Sequence, residues 1–199
     1  MSKSPCVVLL PGFSREAEHT ATMAEMCRDH GLSPLPITTA PRALAPLYMS
    51  TVRLRGIARH ITRTCSGAPV VVVGHSAGAA AGCFLALTLR SECDVRGLVM
   101  VDGVDSPNGL IRRYLPDLQS MRVSAVFADA SPCNRNGKLE REIVGLPWVH
   151  SVHVPGAGHG DFEGHGLAIY TRVCGDRSTA EISREFREEV MRQVERTLA

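Results

Sequence analysis

The stretch Val70–Gly82 reads VVVVGHSAGAAAG and decides the fold of this chain. Its four consecutive valines are typical of a strand that is buried on both faces of a parallel sheet. The serine that follows lies between two glycines, and small residues continue after it. A strand that turns sharply into a helix needs small residues, because the helix begins while the backbone is still packed against the strand. The stretch therefore predicts a strand, a tight turn with Ser76 at its tip, and a helix.

Short apolar runs alternate with longer amphipathic runs along the rest of the chain. The predicted strands are Cys6–Leu10, Leu32–Ile37, Val70–Val73, Gly97–Val101, Val123–Phe127 and His150–Val154. The predicted helices are Arg15–Asp29, Leu47–Thr64, Ala77–Leu89, Gly109–Gln119, Lys138–Val144 and a last one that Ser178 and Glu181 open as a capping box. This alternation predicts one α/β domain over residues 1–199, a doubly wound, mostly parallel sheet of about six strands with helices on both faces.

Composition and charge exclude several classes of protein. Hydrophobic residues make up 44% of the chain and charged residues 21%, as in an ordinary folded domain. The net charge is only +2 and no basic block stands out, so we predict no nucleic-acid partner. The apolar run near the start is too short for a signal-peptide core, and no run is long enough to span a bilayer. A cytoplasmic protein is predicted.

Seven cysteines are widely spaced and contain no C-x-x-C pair. An odd number without a metal-binding or redox spacing predicts mostly reduced cysteines that pack as small apolar side chains. One disulfide that involves Cys133 or Cys174 is the alternative.

The turn after the valines has the G-x-S-x-G pattern, Gly74 to Gly78, in the strand-to-helix context that gives it meaning. A serine hydroxyl is a poor nucleophile unless a base takes its proton. His159 follows the last predicted strand in a glycine-rich loop and is the preferred base, with His165 of the same loop as the alternative. Without catalysis, the stretch would be a glycine-rich turn that tightens a crossover or binds a phosphate at the helix end.

A base of this kind needs a carboxylate to orient its imidazole. Asp102 closes the fourth predicted strand and Asp129 closes the fifth, while Asp105 lies farther along. Asp102 and Asp129 both give the chain order serine, acid, histidine, so the residues alone leave the choice open. The oxyanion hole needs backbone N–H donors, for which Ala77 and Phe13 are the candidates.

From Cys6 to Leu198 the chain resembles the α/β-hydrolase superfamily. The resemblance rests on four features in order: a strand followed by PGF, the GHSAG turn, a strand-end aspartate, and GAGH before the final helix. Three segments are similar to those of the chlorophyllase and dienelactone-hydrolase-like branch of the superfamily: LVMVDGVDSP, SPCNRNG and GAGHGDFEG. That branch implies Asp102 as the acid, whereas most of the superfamily implies Asp129. Only about twenty residues separate Asp102 from the fifth strand, so a minimal cap and an open site are expected.

The resemblance and the residues together predict a serine hydrolase that cleaves a small-molecule ester or thioester through an acyl-enzyme. Such chemistry needs neither a metal nor an organic cofactor. An acyltransferase or cyclase with the same triad is one alternative, and a non-catalytic binding member of the fold is the other. The sequence makes no prediction of oligomeric state.

Overall fold

Six strands form the central sheet of the protein. In a computed structural model, which describes residues 3–106 and 108–199 apart from the side chains of residues 45 and 46, the strands are β1 (Cys6–Leu10), β2 (Ser33–Pro36), β3 (Val70–His75), β4 (Val95–Val101), β5 (Arg122–Phe127) and β6 (Val149–His153). All neighbours pair in parallel, in the order β2-β1-β3-β4-β5-β6. The predicted strands are confirmed, with ends that differ by two residues or fewer.

The helices cover both faces of this sheet. They are α1 (Ala21–Asp29), α2 (Thr51–Thr64), α3 (Gly78–Leu89), α4 (Leu110–Tyr114), α5 (Lys138–Ile143), α6 (Ala168–Cys174) and α7 (Ala180–Leu198). Side chains that alternate along the buried strands point to two separate cores: Val70 and Val72 of β3 pack with α2 and α3, and Val71 and Val73 pack with α1 and α7. The doubly wound α/β architecture is therefore confirmed.

Several helix ends differ from the prediction. Residues 11–16 form a loop and α1 begins only at Ala21, after a 3-10 turn. The helix predicted over Gly109–Gln119 divides into α4 and a further 3-10 turn that contains Pro116. Helix α7 is capped by Thr179, whose hydroxyl accepts a hydrogen bond from the Ile182 N–H, because the Ser178 hydroxyl donates to Asp161 instead. Within the described ranges, no helix is long and apolar enough to span a membrane.

Helix α6 was not predicted from the sequence. Its large apolar residues Ile169 and Val173 are more than half exposed, so no buried stripe marks it as a helix. It follows the loop that carries His159, and its position beside that loop becomes important for the site.

Two disulfides contradict the prediction of reduced cysteines. Cys6 at the start of β1 is bonded to Cys65 at the end of α2, with Cα atoms 5.9 Å apart. Cys133, after β5, is bonded to Cys174 at the end of α6, with Cα atoms 5.2 Å apart. The partners are separated by 59 and 41 residues, which is why their spacing in the sequence gave no sign of the pairs. Cys27, Cys83 and Cys93 are free thiols, so the alternative with a Cys133 or Cys174 bridge is the better interpretation.

Strand β2 forms one edge of the sheet and has the sequence SPLP. The backbone N–H groups of Ser33 and Ile37 donate to Pro5 and Leu9 and so face β1. The backbone nitrogens of successive strand residues point to opposite edges of the strand, so those of the prolines at positions 34 and 36 point away from β1. The edge strand is therefore attached to the sheet on its inner side only.

Candidate active site

A sharp turn connects β3 to α3 and carries Ser76 at the carboxyl end of the sheet. Ser76 has a φ of +53°, in the left-handed region that non-glycine residues rarely adopt. A Cβ atom at Gly78 would lie 2.6 Å from the carbonyl oxygens of Leu10 and Pro11, and one at Gly74 would collide with the Gly78 backbone. Glycine is therefore required at both positions, and the strained turn holds the Ser76 hydroxyl above the sheet.

Ser76 and His159 lie in direct contact although 83 residues separate them. The Ser76 Oγ lies 3.0 Å from the His159 Nε2, and the His159 Nδ1 lies 2.5 Å from the Asp102 Oδ2. His159 and Asp102 are 3% and 1% exposed, so water does not screen their interaction. With the Nδ1–H donating to the carboxylate, the Nε2 can accept a proton from the serine hydroxyl.

The Asp102 carboxylate is surrounded by hydrogen-bond donors. Besides His159, the Ala128 N–H donates to Oδ1 at 3.2 Å, and the Asn134 Nδ2 lies 3.1 Å from each carboxylate oxygen. Asp102 also has a positive φ, +40°. Asn134 was not predicted as a site residue, although it belongs to the SPCNRNG segment that supported the resemblance.

The other acid candidates lie elsewhere. Asp129 is hydrogen-bonded to His153 of β6 at 3.0 Å and to the Gly156 N–H at 3.1 Å. Asp105 accepts hydrogen bonds from the Ile111 and Arg112 N–H groups and so holds the start of α4. The structure therefore brings Asp102, and neither of these two aspartates, into contact with His159.

The alternative base, His165, is exposed in the loop that precedes α6. The structure gives it no hydrogen bond to the predicted site residues within the described part of the chain. Of the two candidate bases, His159 is the one that contacts Ser76.

The loop after β1 passes beside the serine. A Cβ atom at Gly12 would lie 3.1 Å from the Ser76 Cβ, closer than an ordinary contact, so glycine lets the backbone come this near without displacing the serine. Phe13 follows in this loop, and Ala77 follows the serine. Within residues 3–106 and 108–199, the backbone N–H groups of Phe13 and Ala77 have no acceptor. Both are therefore free to donate to a ligand at Ser76.

A buried polar cluster supports the His159 loop from below. His75 is completely buried, and its Nε2 lies 2.8 Å from the His159 carbonyl oxygen. Burial, and then the nearby His159, lower the pKa of His75 well below its usual range, so His75 is neutral and donates this hydrogen bond. The Glu163 carboxylate beside it binds the Arg15 guanidinium and accepts from the Tyr170 hydroxyl at 2.8 Å. This cluster ties the β1 loop, the His159 loop and α6 together.

Ser76 lies in the wall of a cleft of about 750 Å³. The cleft wall combines exposed apolar side chains with charged ones: Phe13, Ile169, Val173, Arg15, Glu16, Arg42 and the Cys133–Cys174 disulfide. A second cavity, of about 470 Å³, lies at the amino ends of β5 and β6 and contains none of the predicted site residues. In the part of the chain that the structure describes, no cluster of three or more histidines, cysteines and carboxylates could hold a metal ion.

Comparison with known proteins supplies the fold class. No protein-family model and no curated protein sequence matches the chain. Among solved structures, NosK from Streptomyces actuosus is 16% identical with a TM-score of 0.65, and the alignment covers 99% of this chain and 100% of NosK.

Two further solved structures show the same similarity. Dienelactone hydrolase from Anabaena variabilis is 16% identical with a TM-score of 0.64, over 95% of this chain and 86% of the hydrolase. Est1E from Butyrivibrio proteoclasticus is 13% identical with a TM-score of 0.59, over 98% of this chain and 90% of Est1E. At these identities the similarity concerns the fold. Together with the parallel sheet and the sharp turn at Ser76, it shows that this chain has the α/β-hydrolase fold.

Proposed function

We propose that the protein is a serine hydrolase that cleaves a carboxylic ester or thioester. The observation that carries this proposal is the continuous hydrogen-bonded chain from the Ser76 hydroxyl through the His159 imidazole to the Asp102 carboxylate. A hydroxyl, an imidazole and a carboxylate in this order form a catalytic triad, which is recognised by geometry.

Each group has a defined role in the proposed reaction. Ser76 Oγ attacks the substrate carbonyl while the His159 Nε2 takes its proton, and the carbonyl oxygen becomes an oxyanion. The N–H groups of Phe13 and Ala77 donate to that oxyanion. When the tetrahedral intermediate collapses, His159 returns the proton to the leaving alcohol or thiol, and an acyl-serine remains. Water, activated by His159, then releases the acid and regenerates Ser76.

Asp102 contributes without taking the proton. Its carboxylate accepts the hydrogen bond from the His159 Nδ1–H, which keeps the Nε2 free as the base and stabilises the imidazolium that forms. Burial of the pair excludes water and strengthens this interaction.

The cleft suits a small-molecule substrate with an apolar part. Phe13, Ile169 and Val173 are 50% or more exposed along it, and apolar side chains of this size gain free energy when a ligand covers them. The segment between β4 and β5 is short, which supports the expectation of a minimal cap over this cleft. We propose a single domain over residues 1–199. The cytoplasmic location stays a prediction, and the two disulfides are more typical of oxidising compartments.

A fluorophosphonate probe tests the proposal directly, because it reacts with an activated serine and with few others. We expect the wild-type protein and a Ser91→Ala control to be labelled, and Ser76→Ala to remain unlabelled. Ser91 is exposed at the end of α3, away from the cleft. Failure of the wild-type protein to react would remove the hydrolase proposal.

A panel of p-nitrophenyl esters and acyl thioesters of increasing chain length then identifies the substrate class. Release of the free acid indicates hydrolysis. Transfer of the acyl group to an added alcohol or amine in preference to water would instead indicate an acyltransferase.

A further inference from the structure

Asn134 is a buried side chain in the loop after β5, and its amide lies against the carboxylate of Asp102. The residue is only 3% exposed. Its Nδ2 lies 3.1 Å from both Asp102 oxygens and 2.9 Å from the Asp129 carbonyl oxygen. An amide placed beside a buried carboxylate has to present its NH₂ group, because a carboxylate only accepts hydrogen bonds.

The opposite end of the same amide fixes its orientation. The Oδ1 of Asn134 accepts from the backbone N–H groups of Ser131 and Gly137, both at 2.9 Å. A flipped amide would place NH₂ against these two donors and its oxygen against the Asp102 carboxylate. Every contact would then be repulsive, so the assignment of oxygen and nitrogen is determined by the network.

Asp102 needs an external restraint. Its carboxylate could otherwise rotate away from His159, because the terminal side-chain torsion of aspartate is broad and only weakly restricted by its own rotamer preference. The Ala128 N–H restrains one oxygen alone. Asn134 contacts both oxygens, and so restrains the plane of the carboxylate.

We propose that Asn134 is a positioning residue that holds the Asp102 carboxylate in the orientation in which it accepts from the His159 Nδ1–H. This proposal rests on the proposed function, since it assigns Asn134 to the same triad. The loop that carries Asn134 is itself anchored, because its neighbour Cys133 is bonded to Cys174 of α6. Asn134 thus acts on the reaction through Asp102 and His159 and does not touch the substrate.

The two ends of the Asn134 amide allow its catalytic and structural roles to be separated. In Asn134→Asp, a carboxylate oxygen still accepts from the Ser131 and Gly137 N–H groups, so the loop keeps its hydrogen bonds. The permanent donor toward Asp102 is replaced by a carboxyl group that can donate only while it holds a proton, so once the pair loses that proton two negative charges face each other. Asn136→Asp is the matched control, because it makes the same chemical change at an exposed position of the same loop.

We expect kcat of Asn134→Asp to fall about tenfold to a hundredfold, by analogy with groups that orient metal ligands, with KM within about twofold of wild type. The acid limb of the pH–kcat profile should move to higher pH, because the added carboxylate favours the protonated imidazole, which cannot act as a base. Asn136→Asp should match wild type in both. A folded Asn134→Asp with unchanged kcat and pH profile would overturn the proposal.

Asn134→Ala covers the case in which Asn134→Asp does not fold. It removes the donor without adding a charge, and we expect a lower kcat at an unchanged KM. An unchanged kcat in this variant, or a failure of both variants to fold, would assign Asn134 to loop folding alone and would also overturn the proposal.

Proton NMR separates this proposal from the proposed function. The proton between the His159 Nδ1 and the Asp102 carboxylate gives a low-field resonance that requires no substrate. We expect its pH titration to shift in Asn134→Asp and to stay at the wild-type value in Asn136→Asp. If the wild-type protein neither labels nor hydrolyses esters, the proposed function fails, while this titration still decides whether Asn134 positions Asp102.

Discussion

Two aspartate–histidine pairs lie at neighbouring strand ends of the same sheet. Asp102 follows β4 and contacts His159 at 2.5 Å, and Asp129 follows β5 and contacts His153 at 3.0 Å. The side chains of the first pair are 2% and 4% exposed, whereas those of the second are 56% and 37% exposed. The chemical groups are the same, so any difference in what they can do comes from their surroundings.

The second nitrogen of each imidazole shows the difference most clearly. In His159 this nitrogen contacts the Ser76 hydroxyl, which can give up a proton. In His153 it contacts the carboxylate of Glu140 at 2.8 Å. Partial burial opposes protonation of His153, but the hydrogen bonds and charges of Asp129 and Glu140 outweigh it and raise its pKa. His153 between two carboxylates forms an ion pair, whereas His159, between a carboxylate and a hydroxyl, has the contacts that the proposed base requires.

The largest expected effect is on kcat/KM and comes from comparing substitutions of His159 and His153. His159→Gln removes the proposed base and should lower kcat/KM by roughly four to six orders of magnitude, as the loss of a triad member does in other serine hydrolases. His153→Gln should leave kcat/KM unchanged, because the exposed pair does not contact Ser76. Hydrolysis of a p-nitrophenyl ester by both purified variants measures this. Equal losses in the two variants would remove the distinction between the pairs.

The next effect tests the two acids. Asp102→Asn keeps the size of the side chain but can hold the His159 ring in the wrong tautomer, so kcat should fall by about four orders of magnitude. Asp129→Asn should retain wild-type kcat. Steady-state kinetics of the two variants decide between the acids. A loss of kcat in Asp129→Asn but not in Asp102→Asn would contradict the proposed role of Asp102 and assign it to Asp129.

A third effect concerns the free energy of unfolding at acid pH. It compares a third histidine, the buried His75, with His159 and His153. Because burial lowers the pKa of His75, the unfolded chain takes up a proton below about pH 6.5 while the folded protein does not. Stability is therefore lost as the pH falls below that value. Between pH 7 and pH 5, wild type should lose about 1–2 kcal/mol more than His75→Gln in urea unfolding.

The control for this measurement is His165→Gln, which makes the same substitution at an exposed histidine and should follow wild type. An identical decrease in wild type and His75→Gln would show that His75 is not the group responsible.

The smallest effect has the opposite sign of pH dependence. Since the pKa of His153 is raised, its ion pair stabilises the protein below the unfolded value of about 6.5, and this contribution disappears as the pH rises through the folded pKa. Water screens the pair, so His153→Gln should cost at most about 1 kcal/mol at pH 6 and nothing at pH 9. Thermal unfolding at both pH values measures it, and an equal cost at pH 9 would rule out the ion pair as the cause.

The sequence predicted those parts of the molecule that depend on local pattern. The valines of β3 and the glycines at positions 74 and 78 specify a buried strand and a tight turn, because few other conformations suit them. The contact between Ser76 and His159 was also predicted, since the carboxyl ends of parallel strands meet at one edge of the sheet.

Other parts depend on contacts between distant residues, and these were not visible in the sequence. Asp102 and Asp129 are both strand-end aspartates, and only the path of the His159 loop brings His159 to the first. Nothing in the local sequence marks Asn134 as different from other loop residues, because only the folded chain brings its amide into contact with Asp102. The disulfides join residues on different elements, and α6 has no buried stripe, so neither left a periodic signal.

The prolines of β2 have a consequence for the molecule as a whole. An open edge of a sheet can recruit a strand from another chain, and this is a common beginning of aggregation. The outward positions of β2 are Pro34 and Pro36, which carry no N–H group to offer an incoming strand. An incoming strand would meet carbonyl acceptors but no N–H donors at these two positions, and because this lack is covalent it disfavours growth of the sheet beyond β2 in any solvent.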